Sequence, residues 1–209
     1  MLARTDLTTK TTGHIVVVMA KYDTKEKIIQ AALKALLQKG FNGVGVQEIT
    51  EQAGVPKGSF YNHFESKEAL GVEIVERYGM GSTNRAILTD KTVSPLERLR
   101  THFAALNDMF IASKFNRGCL LGNFSAELAN QSPTVRDSLA QLFTKWTKDL
   151  QVAIADAQAE GSISSKAPAG DIAAFLLDAY EGTLLRARVE RSRAPFDRFM
   201  KFAFEQILV

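Results

Sequence analysis

The amino-acid sequence predicts an all-α protein of about nine helices, in which a small N-terminal unit precedes a larger helical domain. Apolar residues recur every three or four positions along most of the chain, which is the spacing of one helix face. Capping residues or proline precede these runs, and glycine follows several of them. The strand-like exception is a β-branched run at residues 15–18. With 209 residues, 45% hydrophobic and 23% charged, the composition excludes disordered and fibrous classes.

The N-terminal segment, residues 1–20, is expected to form a flexible arm or an upstream extension. Its apolar run is shorter than the core of a signal peptide, and no window of the chain reaches the length of a membrane span. We therefore expect no membrane partner. The single cysteine, Cys119, cannot form an intramolecular disulfide, so a reducing cytoplasm is the expected compartment.

The first three predicted helices form a small unit. Asp23 and Glu26 have the spacing of a capping box and start the first helix, which Gly40 ends at its C-terminus. Two short helices are predicted over 46–53 and 56–64, because the Ala-Gly-Val-Pro sequence between them favours a sharp turn.

The remaining helices are predicted from the same signals. Most begin at or just after a serine, aspartate or proline, which are favoured at helix N-termini. The exception is a short helix over 124–130, which is expected to follow a glycine break at 118–122. The predicted first residues are Lys67, Pro95, Phe124, Pro133, Asp171 and Pro195.

The second and third predicted helices have the architecture that places a recognition helix in the DNA major groove. Phe60 and Phe64 are one turn apart and are expected to pack inward, which leaves polar residues for the outer face. On that face Lys57 can donate to guanine or phosphate, Asn62 can form a bidentate pair with a base, and Gly58 permits close approach to the duplex. The alternative interpretation is a helical hairpin whose polar residues only face water.

The segment at 49–70, ITEQAGVPKGSFYNHFESKEAL, resembles the TetR family of bacterial transcriptional regulators, and the likeness extends over about residues 23–78. Gly45 is a departure, since many members have a hydroxyl N-cap there. By this resemblance Lys67 takes the phosphate-contact position, where its ammonium and the helix N-terminus can together hold an anion. The other DNA-contact positions are Gln47, Lys57, Gly58, Ser59, Tyr61, Asn62 and His63.

The resemblance also implies an organisation for the whole chain. The DNA-binding domain is expected over 21–66, and an effector-binding and dimerisation domain over 67–209, with 67–80 as the connecting helix. The family pairs its last two helices across a two-fold axis, so a homodimer is expected to read a palindromic double-stranded DNA operator with half-sites about 34–36 Å apart, or a multiple of that distance. The expected function is a repressor that a small-molecule or electrophile signal releases.

A second segment, Arg117 to Phe124, is similar to a glycine-cysteine segment in the NemR/AcuR-like subgroup of that family, some members of which respond to electrophiles or small unsaturated compounds. Cys119 lies close to Arg117 at a predicted helix start. Both features lower the pKa of a thiol, which favours a sensing role. The alternative is that Cys119 only fills space in the core, because free cysteine is among the most buried residue types.

Aromatic residues of the second domain are candidates for the lining of an apolar effector pocket, although residues at helical spacing are more often core. The candidates are Phe103, Phe110, Trp146 and Phe175.

The sequence offers little support for enzyme chemistry. The three histidines lack the spacing of a metal site, and no phosphate loop, nucleophile elbow or dinucleotide fingerprint is present, so we expect neither a metal nor a cofactor. His102 is expected to line a pocket or to form a hydrogen bond between helices. Two other functions stay open at this point: an enzyme with Cys119 as nucleophile, and a helical adaptor that binds an acidic partner through basic residues at 186–201.

Overall fold

The computed structural model describes residues 9–80 and 83–209, and the side chains within 23–79 and 85–209. Over these ranges the chain is all-α and contains no strand, which confirms the predicted fold class. A single 3₁₀ turn, Ile87–Thr89, and a π-helical turn, Ala203–Ile207, complete the helical structure. The α-helices are α1 (Thr9–Lys39), α2 (Val46–Gln52), α3 (Lys57–Tyr61), α4 (Lys67–Met80), α5 (Thr83–Ala86), α6 (Pro95–Ala112), α7 (Leu120–Leu128), α8 (Pro133–Glu160), α9 (Ala169–Glu190) and α10 (Ala194–Phe202).

The first helix differs from the prediction at its start. It begins at Thr9, so residues 9–20 of the expected flexible arm and the strand-like run at 15–18 are helical, whereas residues 1–8 lie outside the described part of the chain. Asp23 does not cap the helix, because its carboxylate accepts a hydrogen bond from Lys27 Nζ one turn later, at 2.6 Å. Asp23 therefore forms an i, i+4 ion pair with Lys27, which stabilises the interior of a helix, and it does not form a capping box.

The N-terminal unit is fastened to α4 by charged side chains. Glu73 of α4 accepts from Lys25 Nζ at 2.7 Å, and Arg77 donates to Glu73 at 2.8 Å and to Glu26 of α1 at 2.5 Å. Ser66 caps α4 as predicted, since its hydroxyl accepts from the amide of Ala69 at 3.1 Å. Helix α4 is thus tied to the long helix α1.

Helices α4, α6, α7 and α9 pack around the long helix α8. Buried polar contacts join these helices: Trp146 Nε1 of α8 donates to His102 Nε2 of α6 at 3.0 Å, and the Tyr180 hydroxyl of α9 donates to Asn107 of α6 at 2.9 Å. The prediction that His102 bonds between helices is confirmed. Such buried pairs fix the relative register of the helices, because an unpaired partner would carry a desolvation cost.

A break precedes α7 as predicted, and Gly118 lies in it, but the break ends earlier than expected. The helix begins at Leu120 and not at Phe124, so Gly122 lies within it. A side chain at Gly122 would place its Cβ 2.7 Å from Glu181 Oε2 of α9, so this glycine allows two helices to approach closely and does not interrupt the helix. A glycine that serves packing and one that ends a helix have the same sequence signal.

The buried guanidinium of Arg98 leads to a testable prediction about stability. Arg98 is 3% exposed and donates to the carbonyls of Val93 and Leu88 and, at 2.9 Å, to the carboxylate of Asp156, which also pairs with Lys91. Replacing Asp156 with alanine leaves this buried cation without its anion, and we expect a loss of about 2 kcal/mol in the free energy of unfolding at pH 7.

The pH dependence of this pair gives the check. Hydrogen bonds from Lys91 and Arg98 hold the pKa of Asp156 below its ordinary value of 3.8. Its contribution is therefore complete above pH 3.8 and is lost as the pH falls through the lower value in the folded state. Thermal unfolding of Asp156→Ala and wild type should differ at pH 7 and converge in stronger acid, whereas the exposed control Asp137→Ala should change stability by less than about 0.5 kcal/mol. A constant difference at all pH values would contradict the assignment.

Candidate nucleic-acid interface and effector site

The turn between α2 and α3 sets the angle of the third helix. Gly54 has a φ of +66°, which glycine adopts without strain, and the amide of Val55 donates to the carbonyl of Thr50 at 3.0 Å. No side chain caps α2, as the glycine at position 45 predicts. The third helix ends at Tyr61, earlier than predicted, while Phe60 and Phe64 are buried as expected. Buried Phe60 anchors α3, so the opposite side of this helix faces solvent.

That outer side carries most of the predicted DNA-contact residues. Tyr61 is 57% exposed, and its ring packs edge-on against Phe60 with centroids 5.3 Å apart, which orients the phenol outward. A Cβ at Gly58 would meet nothing within 4 Å, so the backbone is open to an approaching duplex. The structure exposes Lys57, Gly58, Tyr61 and Asn62, and it leaves Ser59 and His63 half-buried.

Gln47 lies on the exposed side of α2, where its amide donates to Glu51 at 2.7 Å.

The contacts of Lys67 differ from the phosphate contact that the sequence predicts. Its ammonium is half-buried and donates inward to the carbonyls of Phe41 and Val44 at 3.0 and 2.9 Å, with the Phe41 ring 4.1 Å away. Burial lowers the pKa of Lys67, and attraction to Glu127 partly offsets this effect. Lys67 therefore braces the α1–α2 turn in this structure instead of presenting its charge to a phosphate.

The second candidate site is a small cavity at the N-terminus of α7. Its volume is about 30 Å³, which is room for about two water molecules. Cys119, Arg117, Phe110 and Trp146 of the predicted set line it, and two buried polar atoms next to Cys119, Asn123 Nδ2 and Glu181 Oε1, have no hydrogen-bond partner. The full lining is Tyr78, Leu106, Met109, Phe110, Arg117, Gly118, Cys119, Trp146, Tyr180 and Leu184.

The predicted activation of Cys119 by Arg117 is wrong. The thiol is buried and bonds to Glu181, so burial first and then this carboxyl raise its pKa well above the ordinary value of 9.0. The amides of Leu121 and Gly122 at the start of α7 act in the opposite direction but are weaker. Burial also raises the pKa of Glu181. Cys119 is therefore a protonated thiol beside a carboxyl group at neutral pH.

Two predicted pocket residues lie elsewhere. Phe103 is fully buried in the core, with its ring against Phe199 and Tyr180. Phe175 is 55% exposed on α9, where it borders a surface groove of about 410 Å³ together with Phe202 of α10. Helical periodicity predicts that both residues lie on apolar helix faces. It does not show whether such a face lines a cavity, packs into the core as for Phe103, or stays exposed as for Phe175.

Two residues of these sites carry no signal in the sequence. Glu181 contacts Cys119, and Glu127 accepts hydrogen bonds from the α1–α2 turn. Arg188, which the sequence offers as a possible positive charge near Cys119, lies close to Gly118 and donates to the carbonyl of Gln38 at 2.9 Å. All three residues act on positions more than sixty residues away in the chain. No local pattern marks such contacts, and only the packing of α7 and α9 against α1 creates them.

None of the helices in the described part of the chain combines the length and apolar character that crossing a bilayer requires. The side chains of the same part also form no cluster of three or more His, Cys, Asp or Glu residues suited to a metal ion.

Comparison with known proteins matches both domains. Residues 28–74 match the family "Bacterial regulatory proteins, tetR family", and residues 95–203 match "Tetracyclin repressor-like, C-terminal domain". The chain is 38% identical over 192 residues to the HTH-type transcriptional repressor DhaR of Mycobacterium sp. strain GP1, which covers 91% of this chain and 95% of DhaR. It is 32% identical to the transcriptional regulator AcuR of Cereibacter sphaeroides, over 84% of this chain and 81% of AcuR.

A solved structure, that of the reduced form of Escherichia coli NemR, superimposes with a TM-score of 0.76 at 26% identity and covers 88% of this chain and 96% of NemR. The resemblance to NemR- and AcuR-like proteins is thereby confirmed. DhaR is a transcriptional repressor and AcuR is a transcriptional regulator. With a helix-turn-helix unit, a helical second domain and matches along both, the chain belongs to the TetR family of bacterial transcriptional regulators.

Proposed function

We propose that this protein is a homodimeric repressor that binds a palindromic operator through α2 and α3 and leaves it when a small-molecule or electrophile signal acts at the Cys119 cavity. The observation that carries the proposal is the outer face of α3, where Lys57, Tyr61 and Asn62 are exposed above the buried anchor Phe60. The DNA-binding domain would comprise residues 21–66.

The C-terminal helices support a dimer within the proposed second domain, 67–209. Four large apolar side chains of α9 and α10 are exposed, including Val189, which is 84% exposed, and two of them, Phe175 and Phe202, border the surface groove. Exposed apolar side chains of this kind are typical of an interface between copies of a chain. We call the four residues, Phe175, Leu185, Val189 and Phe202, the apolar stripe.

The size of the cavity bears on the kind of signal. Drug-sized ligands occupy pockets of about 300–1,000 Å³, ten times the volume found around Cys119. A small electrophile that adds to the thiol fits this space better than a large reversible ligand. Addition of Cys119 across an activated C=C bond forms a C–S bond, and the thiol proton is delivered to the neighbouring carbon, with Glu181 as the nearby group that can carry it.

Release would follow from a shift between two conformations of the dimer. The adduct adds volume to a cavity with room for about two water molecules, so it favours a conformation in which α7 has moved. Only such a difference in affinity for the two states can shift their populations. A coupling free energy of about 1–3 kcal/mol is typical of this kind of regulation.

The experiment that tests the proposed function measures binding of the purified protein to the DNA upstream of its own gene. Fluorescence anisotropy with a labelled duplex should give tight binding that an unrelated duplex does not compete away. Equal affinity for both duplexes would refute sequence-specific repression at that site.

The role of Cys119 gives a separate prediction. Treatment with acrolein is expected to weaken operator binding of the wild type at least about tenfold and to leave Cys119→Ser unaffected. Because the thiol pKa is raised, the rate of modification should increase with pH through the alkaline range. Equal loss of binding in both proteins would show that acrolein acts at another nucleophilic side chain, and it would return Cys119 to a packing role.

A further inference from the structure

We propose that Glu127, near the C-terminal end of α7, is a positioning residue for DNA binding. Its carboxylate holds the α1–α2 turn (residues 40–44) and thereby transmits the state of the effector domain to the recognition helix. This inference rests on the proposed function, because it names the residue through which the cavity would act on the operator-binding face.

The contact itself is bidentate. Glu127 Oε1 accepts from the amide of Phe41 at 3.1 Å, and Glu127 Oε2 accepts from the amide of Asn42 at 2.6 Å. Each carboxylate oxygen thus satisfies a different backbone donor just beyond the C-terminus of α1. Hydrogen bonds to a charged acceptor are shorter and about twice as strong as those between neutral groups, so a side chain of the second domain fixes the orientation of this turn.

Gly40 shows that the turn is shaped around this carboxylate. A Cβ at Gly40 would fall on Glu127 Oε1, and the φ of +76° at this residue already disfavours other side chains. The glycine therefore has two functions: it ends α1, and it leaves space for a group from another domain.

The opposite side of the turn is held by α4. Lys67 of α4 donates to the carbonyls of Phe41 and Val44, and the Phe41 ring meets Phe124 of α7 edge-on with centroids 5.5 Å apart. The turn is thus gripped by an anion from α7 and a cation from α4. Since α2 starts directly after it, a displacement of either group re-aims α2 and the α3 helix that packs against it.

The cavity lies at the other end of the same helix. Cys119 is the N-cap of α7, and the preceding amide of Gly118 donates to the carbonyl of Leu37 in α1 at 2.8 Å. The nine residues of α7 span about 14 Å. A helix this short moves as a rigid unit, so an adduct that pushes its N-terminus away from α1 also changes the hold of Glu127 on the turn.

The test uses Glu127→Gln in the full-length protein. Glutamine retains one acceptor oxygen and turns an amide donor toward one of the two backbone amides, so one hydrogen bond is lost at nearly unchanged volume. The operator affinity is expected to fall about tenfold, and the ratio of affinities without and with acrolein is expected to fall toward one. Glu127→Asp retains the charge but withdraws it by one methylene, and it should lie between wild type and Glu127→Gln. Asp108→Asn, which neutralises an exposed carboxylate of α6, is the matched control and should behave as wild type.

The outcomes separate this inference from the proposed function. A wild-type ratio in Glu127→Gln overturns the inference even where affinity falls, because Glu127 would then only stabilise the fold. If the wild type itself does not prefer its operator, the proposed function fails. Hydrogen exchange then still tests whether Glu127 holds the amides of the α1–α2 turn. The amides of Phe41 and Asn42 should exchange faster in Glu127→Gln and should be slow in the wild type, and equal rates overturn the inference.

Discussion

Alanine at both Lys57 and Tyr61 is expected to lower operator affinity at least about 100-fold while the protein stays folded. Each side chain that reaches a base edge contributes about 1–3 kcal/mol of discrimination, and the lysine adds attraction to the phosphates. Both residues lie on the exposed side of α3, so their removal leaves the buried anchor Phe60 in place. Only the edge-on ring contact of Tyr61 with Phe60 is lost from the fold, at about 1 kcal/mol.

Anisotropy titrations at two salt concentrations separate the two contributions. Lys57→Ala alone should reduce the salt dependence of binding, because one fewer counterion is released from the DNA. Tyr61→Phe distinguishes the hydroxyl from the ring. Lys34→Ala removes one positive charge from the exposed side of α1 and serves as the control, with an expected change of less than about threefold. Wild-type affinity in the double variant would show that α2 and α3 form a helical hairpin whose polar residues only face water.

Helix content was predictable because periodicity and caps are local properties of the sequence. The end of α1 at Gly40 and the cap of α4 at Ser66 follow from nearest-neighbour chemistry, and both were predicted correctly. The start of α1 was not, because the carboxylates of Asp23 and Glu26 bond to Lys27 and Arg77 in place of the backbone amides that a cap would satisfy. The same residue types serve both purposes, and partners in space decide between them.

The exposed outer side of α3 was predictable for a related reason. In this five-residue helix the one buried side chain is Phe60, and most of the other positions are exposed. The environment of Cys119 was not predictable from the sequence, since Glu181 approaches the thiol from α9 through the space that Gly122 leaves open. Lys67 also has contacts that the local sequence does not reveal. Its position in the first turn of α4 suits an anion, but its ammonium donates to two carbonyls of the α1–α2 turn.

A charged residue in the apolar stripe of α9 and α10 is expected to produce a monomer. Phe202→Glu places a carboxylate where the paired stripes of two copies would otherwise bury apolar surface, and desolvating an unpaired charge costs several kcal/mol. A monomer has one recognition helix for two half-sites. The advantage of binding both half-sites at once, about 10²–10⁴ in affinity, is then lost although α3 is unchanged.

Analytical ultracentrifugation and operator titration of the same sample test this expectation together. Phe202→Glu should sediment as a monomer, bind the full palindrome at least about 100-fold more weakly than the wild type, and bind an isolated half-site as the wild type does. Val152→Glu introduces the same charge at an exposed apolar position of α8 outside the groove and should remain dimeric. A Phe202→Glu variant that sediments as a dimer would place the interface on another face. A monomer that keeps full operator affinity would instead show that one recognition helix is enough for operator binding. The proposal of a palindromic operator read by a dimer would then be wrong.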